Sequence, residues 1–163
     1  MLIRDARPDE AGELTEPALR SKAHWGYDAA VMASCREEPT VHPSEVGERR
    51  TAPAERDGRV LGFTTVDGRP PDGAVGMMFV DPSALGQGIG RVLSAHALAT
   101  ARAAGFHRLT IEADPTAEPF HRAMGAVRSG GTPSGCIPGR VLPLAVRPVP
   151  PRVDASLWKR GEP

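Results

Sequence analysis

Three glycines at alternate positions, Gly86, Gly88 and Gly90, are the residues of this chain whose type and spacing most directly imply chemistry. They follow an apolar run from Ala74 to Val80 that stops at the turn pair Asp81-Pro82. After them, Ile89, Val92, Leu93, Ala97, Ala101 and Ala104 recur at offsets of three and four, so a helix is expected, with Gly105 as its stop. Strand, glycine loop and helix in that order make an anion cradle. The first amides of a helix lack internal partners, its dipole puts partial positive charge beside them, and glycine lets a phosphate oxygen approach the backbone. Neither Gly-Lys-Ser nor Gly-Lys-Thr is present, which excludes a Walker loop, and the glycine spacing is not that of the dinucleotide fingerprint.

Val80-x-Pro82 followed by Gly86-Gln87-Gly88-Ile89-Gly90 resembles the acetyl-CoA signature of the GNAT superfamily of N-acetyltransferases. The family pattern of Arg or Gln, two residues, Gly, one residue, and Gly or Ala falls on Leu85, Gly88 and Gly90; Leu85 is a departure that removes a side-chain contact. The resemblance implies that Leu85, Gly86, Gln87, Gly88, Ile89, Gly90 and Arg91 hold the cofactor pyrophosphate. It also implies that Phe79 and Val80 flank the pantetheine arm, their backbone amides polarising the thioester.

A second block supports the first. Leu109 to Ala113 reads as a strand, and Asp114-Pro115 as cap and first-turn proline of a short helix ending at Met124-Gly125. This is similar to the family's Asn, short helix and Phe-Tyr-x-x-x-Gly, carried here by Asp114, Phe120, His121 and Gly125. Asp114 and Phe120 are therefore expected at the cofactor. The resemblance covers about residues 58 to 147, with weaker support before that.

Many family members place a tyrosine at the position of His121, where it gives a proton to the departing thiolate. His121 could do so if protonated, since its unperturbed pKa is near neutrality; the alternative is a solvent-facing helix histidine without chemistry. For the base, Glu112 and Asp114 are the nearest acidic groups and His24 a distant third. Asp114 reads better as a helix cap, and Glu112 slightly better as part of a solvated or salt-bridged face. His24, Trp25 and Tyr27 lie between two helices, in the region the resemblance assigns to the acceptor wall, although Trp25 reads as well as a core anchor. His96 and His107 show no metal-ligand spacing, and no metal is expected.

Bulk properties narrow the class. Twenty basic and twenty acidic side chains cancel, which removes the electrostatic case for nucleic acid or an anionic membrane surface. Cys35 and Cys136 are too few and too far apart for a disulfide scaffold or zinc site, Cys136 reads as a bystander thiol, and a cytoplasmic setting is the default. No signal peptide or membrane-spanning stretch is read.

The elements that must position these residues follow in order. Met1 to Ala6 is a short strand; helices are expected from Glu10 to about Ser21 and from Asp28 to Arg36; Glu37 to Arg50 is loop. Thr51 to Glu55 and Arg59 to Val66 form a hairpin around Asp57-Gly58, with Pro53 marking its first strand as irregular or at an edge. Strands are expected at Ala126 to Ser129 and Arg140 to Arg147, separated by a flexible excursion. The fold expected is α/β (α+β), a mixed, mostly antiparallel central sheet of about seven strands with about four helices. Residues 1–147 form the domain and 148–163 a proline-rich tail whose Trp158 docks on its own domain or on a partner.

The function expected is acetyl transfer from acetyl-CoA to a primary amine, on a small molecule or peptide, in a ternary complex. A homodimer is common in the superfamily. The rival is a non-catalytic coenzyme A sensor, and a third reading is a nucleotide-phosphate binder.

Overall fold

Asp57 and Gly58 both adopt positive φ, 53° and 74°, as a two-residue primed turn requires. They join β2 (Ala52–Arg56) to β3 (Arg59–Thr64) in an antiparallel hairpin. The computed structural model describes residues 1–152. In chain order the hairpin is preceded by β1 (Leu2–Ile3), α1 (Ala11–His24) and α2 (Ala29–Ser34). It is followed by β4 (Asp67–Arg69), β5 (Asp72–Ala74), β6 (Met78–Val80), α3 (Ile89–Ala104), β7 (Arg108–Glu112), α4 (Glu118–Ala123), β8 (Val127–Pro133) and β9 (Val141–Pro148).

The strands form two sheets, ordered β1-β2-β3-β6 and β4-β5-β7-β9-β8. Among the described residues only β5 and β7 pair in parallel, and the other pairings are antiparallel. The apolar run from Ala74 to Val80 is thus not one strand. Its start pairs with β7 and its end with β3, and at Val75 to Met77 the chain leaves one sheet for the other. Apolar composition alone does not say which neighbour a strand will find, so this break was invisible in the sequence.

Alternation along β6, and along β3 with its register broken at Leu61, sends side chains to two faces. Phe63 and Phe79 pack towards α1, where Leu14 and Ala18 join Val41, Val46, Val60 and Met77 in one core. Leu61, Met78 and Val80 turn to the other face, against Ile89 and Leu93 of α3. Further along, Ala97 and Ala101 of α3 pack with Val66, Phe106, Leu109 and Val149, so one helix bridges both sheets. Gly105, at φ 90°, ends α3 as expected. Val92, assigned to the apolar face, is exposed instead.

Other differences have local causes. β2 lies between β1 and β3, so Pro53 is not at an edge, and the irregularity it predicts is a bulge between Ala54 and Glu55. α1 continues to His24 with Pro17 inside it. α4 starts at Glu118 because Asp114 shapes a turn before the helix rather than capping it. β8 runs on to Pro133 through part of the expected excursion. Val149 is buried and donates its N–H to the His107 carbonyl. Trp158 lies outside the described residues.

Candidate active site

The turn that launches the glycine loop is built on a buried charge. Asp81, 2% exposed, accepts hydrogen bonds from Ser83 N (2.9 Å) and Oγ (2.6 Å) and from Arg20 Nε (2.9 Å) and Nη2 (2.7 Å). Burial pushes its pKa up, but the Ser83 and Arg20 hydrogen bonds win and hold it down at about 2. Gly86 and Gly88 then adopt φ of 76° and 80°, left-handed conformations that favour glycine. Gly88 is the N-cap of α3, and no side chain caps that end, so the amides of Ile89, Gly90 and Arg91 have no partner within the helix.

Space at the loop is open. A Cβ added to Gly86 or Gly88 would meet nothing within 4 Å, whereas one on Gly90 would come within 3.1 Å of Phe120. Gly90 therefore lets the Phe120 ring of α4 lie on the first turn of α3. Gln87 is occupied, donating to the Ser83 carbonyl (3.1 Å) and accepting from Arg56 (3.0 Å). Leu85 is 39% exposed and Ile89 is buried. An uncapped helix end, two left-handed glycines and open space fit a diphosphate held by backbone.

Beside the loop the two sheets part. β6 is the last strand of its sheet, and β7 loses its partner β5 after the pair Ala74–Thr110. The Asp81 N–H bonds to Leu61 and the Thr65 N–H to Met77, so by antiparallel alternation the Phe79 N–H is spent on β3. The N–H groups of Met78 and Val80 consequently point into the gap. Of the two amides singled out in the sequence, that of Val80 points into the gap and that of Phe79 is bonded within the sheet.

A cavity of about 170 Å³ occupies this gap. Its lining includes Met78 and Phe79 of β6, Ile111 and Glu112 of β7, His121 of α4, and Trp25 and Tyr27 from the link between α1 and α2. His121 is buried, not solvent-facing, with its ring 5.1 Å from that of Phe120. Burial lowers its pKa, so it is neutral near pH 7 and has one ring N–H to donate. Glu112 is exposed at the mouth and has no ion-pair partner among the described residues.

The tyrosine of the link closes one side. Tyr27 donates its hydroxyl to Asp114, whose other oxygen accepts from Thr116 N (2.9 Å), and Arg140 stands 3.5 Å from the same carboxylate and 5.2 Å over the Tyr27 ring. Burial pushes the Asp114 carboxyl up, but the Thr116 and Tyr27 hydrogen bonds outweigh it and keep it below the usual range. Asp114 is thus a cross-tie. Trp25 is 48% exposed and no core anchor, though it lines the cavity; His24 stacks edge-on against it and does not line the cavity.

The cysteines depart most from expectation. Cys35 and Cys136, 101 residues apart in sequence, form a disulfide with their Cα atoms 5.3 Å apart, and both line the cavity. Sequence distance says nothing about spatial distance once α2 and the β8–β9 loop fold over the same gap. Cys136 is therefore not the bystander thiol expected, and separation in sequence does not keep the two cysteines apart. Glu38, Lys22, Ser134, Ile137 and Arg140 also line the cavity and were not singled out as site residues.

A cleft between splayed sheets thus lies beside an uncapped helix N-terminus in a mixed α/β fold. Residues 15–126 match the acetyltransferase (GNAT) family, and the chain belongs to that family. The structure is similar to a GCN5-related N-acetyltransferase from Rhodopseudomonas palustris, with TM-score 0.75 and 21% identity over 90% of this chain and 94% of that one. It is similar to the PaiA N-acetyltransferase of Thermoplasma acidophilum in complex with coenzyme A, with TM-score 0.74 and 15% identity over 90% and 98% of the two chains. A nourseothricin acetyltransferase is 28% identical over 62% of this chain and 65% of its own, with TM-score 0.57. No curated protein sequence matches significantly. No described helix is long and apolar enough to cross a membrane.

Proposed function

We propose that the chain transfers an acetyl group from acetyl-CoA to a primary amine by direct attack within a ternary complex. The observation that carries this reading is one cavity lined by edge strand β6, His121 and Glu112, next to an uncapped glycine loop. The pyrophosphate would lie on the amides of Gly88 to Arg91, with Phe120 beside them. When bound, acetyl-CoA supplies an electrophilic thioester carbonyl and a thiolate leaving group.

The chain's own groups do the rest. The outward N–H of Val80 polarises the carbonyl, and the cavity walls align the amine with it. Glu112, directly or through water, takes the proton that the amine must lose. Neutral His121 gives an N–H hydrogen bond to the departing sulfur, a weaker aid than transfer from an imidazolium. The mouth opens on a groove of about 490 Å³ in which Glu37, Glu38 and Glu45 are paired with His42, Lys22 and Arg49 and Glu112, among the described residues, is not, which leaves one carboxylate for an acceptor that is an ammonium ion in bulk water. The rival, a coenzyme A sensor, draws on Leu85 and His121, which stand where the family carries other side chains.

Thermal unfolding with acetyl-CoA, with ATP as control, tests the cofactor. At one hundred times its dissociation constant a ligand adds about 2.7 kcal/mol, a shift of roughly 5 to 10 °C for a domain of this size. An equal shift with ATP would remove the assignment. Release of coenzyme A thiol across an amine panel then separates transferase from sensor.

A further inference from the structure

We infer that Cys35 and Cys136 are a reversible thiol-modification site whose oxidation state sets access to the acceptor side of the cavity. The inference rests on reading that cavity as the acceptor site. α2 buries none of its residues, yet Val31 and Met32 on it line the cavity. A helix of six residues without a buried face does not hold itself against the protein. It is fastened at its two ends. At the start, Tyr27 bonds to Asp114; just past the end, Cys35 is bonded to Cys136 in the β8–β9 loop. That loop is otherwise braced by short-range bonds, from Cys136 N and Ile137 N to Ser134 Oγ (3.3 and 3.0 Å) and from Ser134 N to the Arg140 carbonyl (2.7 Å), and by the Arg140–Asp114 pair.

The two sulfurs are unequally placed. Cys35 is 4% exposed, while Cys136 is partly open to solvent. A dithiol reductant attacks through its thiolate at the Cys136 sulfur, the S–S bond breaks, and the electron pair leaves on Cys35 sulfur, which takes a proton. The second thiol of the reductant then displaces Cys136 as a thiol. The protein gains two electrons and two protons, and the reductant becomes a disulfide. α2 keeps its Tyr27 tie at one end and, past the other, the Lys22–Glu38 ion pair to α1, neither of which reaches the β8–β9 loop, so the wall carrying Val31 and Met32 comes free of that loop. The glycine loop shares no residue with this wall, so the cofactor side is unaffected.

The test uses the whole chain, purified in air, before and after dithiothreitol. Iodoacetamide should label neither cysteine before reduction and both after it. Hydrogen exchange should then quicken by about ten-fold or more in residues 29–36 and 134–140, and stay unchanged in 85–91. The double variant C35S/C136S should exchange like the reduced protein and ignore dithiothreitol. With any amine that the panel shows to be acetylated, reduction should change KM for that amine by about three-fold or more at constant KM for acetyl-CoA. Labelling without reductant, or exchange that does not respond to reduction, overturns the modification site. Quickened exchange with unchanged amine KM overturns the gating. If no amine is acetylated, the proposed function fails, and labelling and exchange still decide whether the disulfide holds the wall.

Discussion

Tyr27 and Asp114 stand 87 residues apart in sequence, and a single hydrogen bond between them ties the link after α1 to the turn before α4, across the mouth of the cavity. Neither side chain is a free site group in consequence. The hydroxyl that would contact an acceptor and the carboxylate that would serve as a base are spent on each other.

Removing this tie with Tyr27→Phe should lower stability by about 1 to 2 kcal/mol, since the acceptor is a charged carboxylate. Urea denaturation measures the loss. If Asp114 were the base, freeing its carboxylate in this variant would raise kcat; a change confined to amine KM is expected instead.

Asp81→Asn removes the charge that Arg20 and Ser83 enclose and should cost about 1 to 3 kcal/mol, because the buried carboxylate's charge-assisted hydrogen bonds are lost while the half-exposed Arg20 turns to water. The loss should appear in urea denaturation, and acetyl-CoA affinity should fall with it, because Asp81 shapes the turn into the glycine loop.

Acid should unfold the protein through the same group. Asp81 and Glu10 are each held at about 2 in the fold, Glu10 chiefly by its hydrogen bonds from Arg4, against an unfolded value of about 4. A depressed pKa contributes stability that is whole above the unfolded value and is lost as pH falls through the folded one. Stability should therefore be flat above about pH 5 on their account and drop towards pH 2. In the Asp81→Asn variant the slope of stability against pH should be shallower in that window.

His121 should titrate below the ordinary histidine value of about 6.5, because burial disfavours its charged form. Proton NMR of the ring gives the value directly. His121→Ala should lower kcat by about ten-fold or less and leave acetyl-CoA affinity alone, since a neutral N–H contributes one hydrogen bond. A larger loss with a rate that rises as pH falls through 6 would restore the imidazolium acid.

Gly88→Asp should abolish acetyl-CoA binding, as it puts a carboxylate at an anion cradle in a left-handed backbone. Gly88→Ala, which meets open space but keeps the backbone strain, should cost about 1 kcal/mol of stability. The two variants thus separate charge from strain in a thermal-shift titration.

Legibility in the sequence followed the range of the interaction. The Asp57-Gly58 turn, the ends of α3 and the glycine loop are encoded within a few residues, and each was readable. The pairing of Cys35 with Cys136, the burial of His121 and the exposure of Trp25 depend on which elements fold over the gap, and no local pattern carries that. Asp114 reads in the sequence as a helix cap; it instead shapes the turn before α4 through Thr116, and its larger attachment, to Tyr27, is non-local.

The passage of the chain from β5 to β6, and its mirror from β3 to β4, has a consequence for folding. Each sheet takes strands from both connected segments, 59–69 and 72–80, so neither sheet can be completed while the other is absent. Probes placed in the two sheets should report one coincident unfolding transition. The cleft that divides the molecule in space does not divide it thermodynamically.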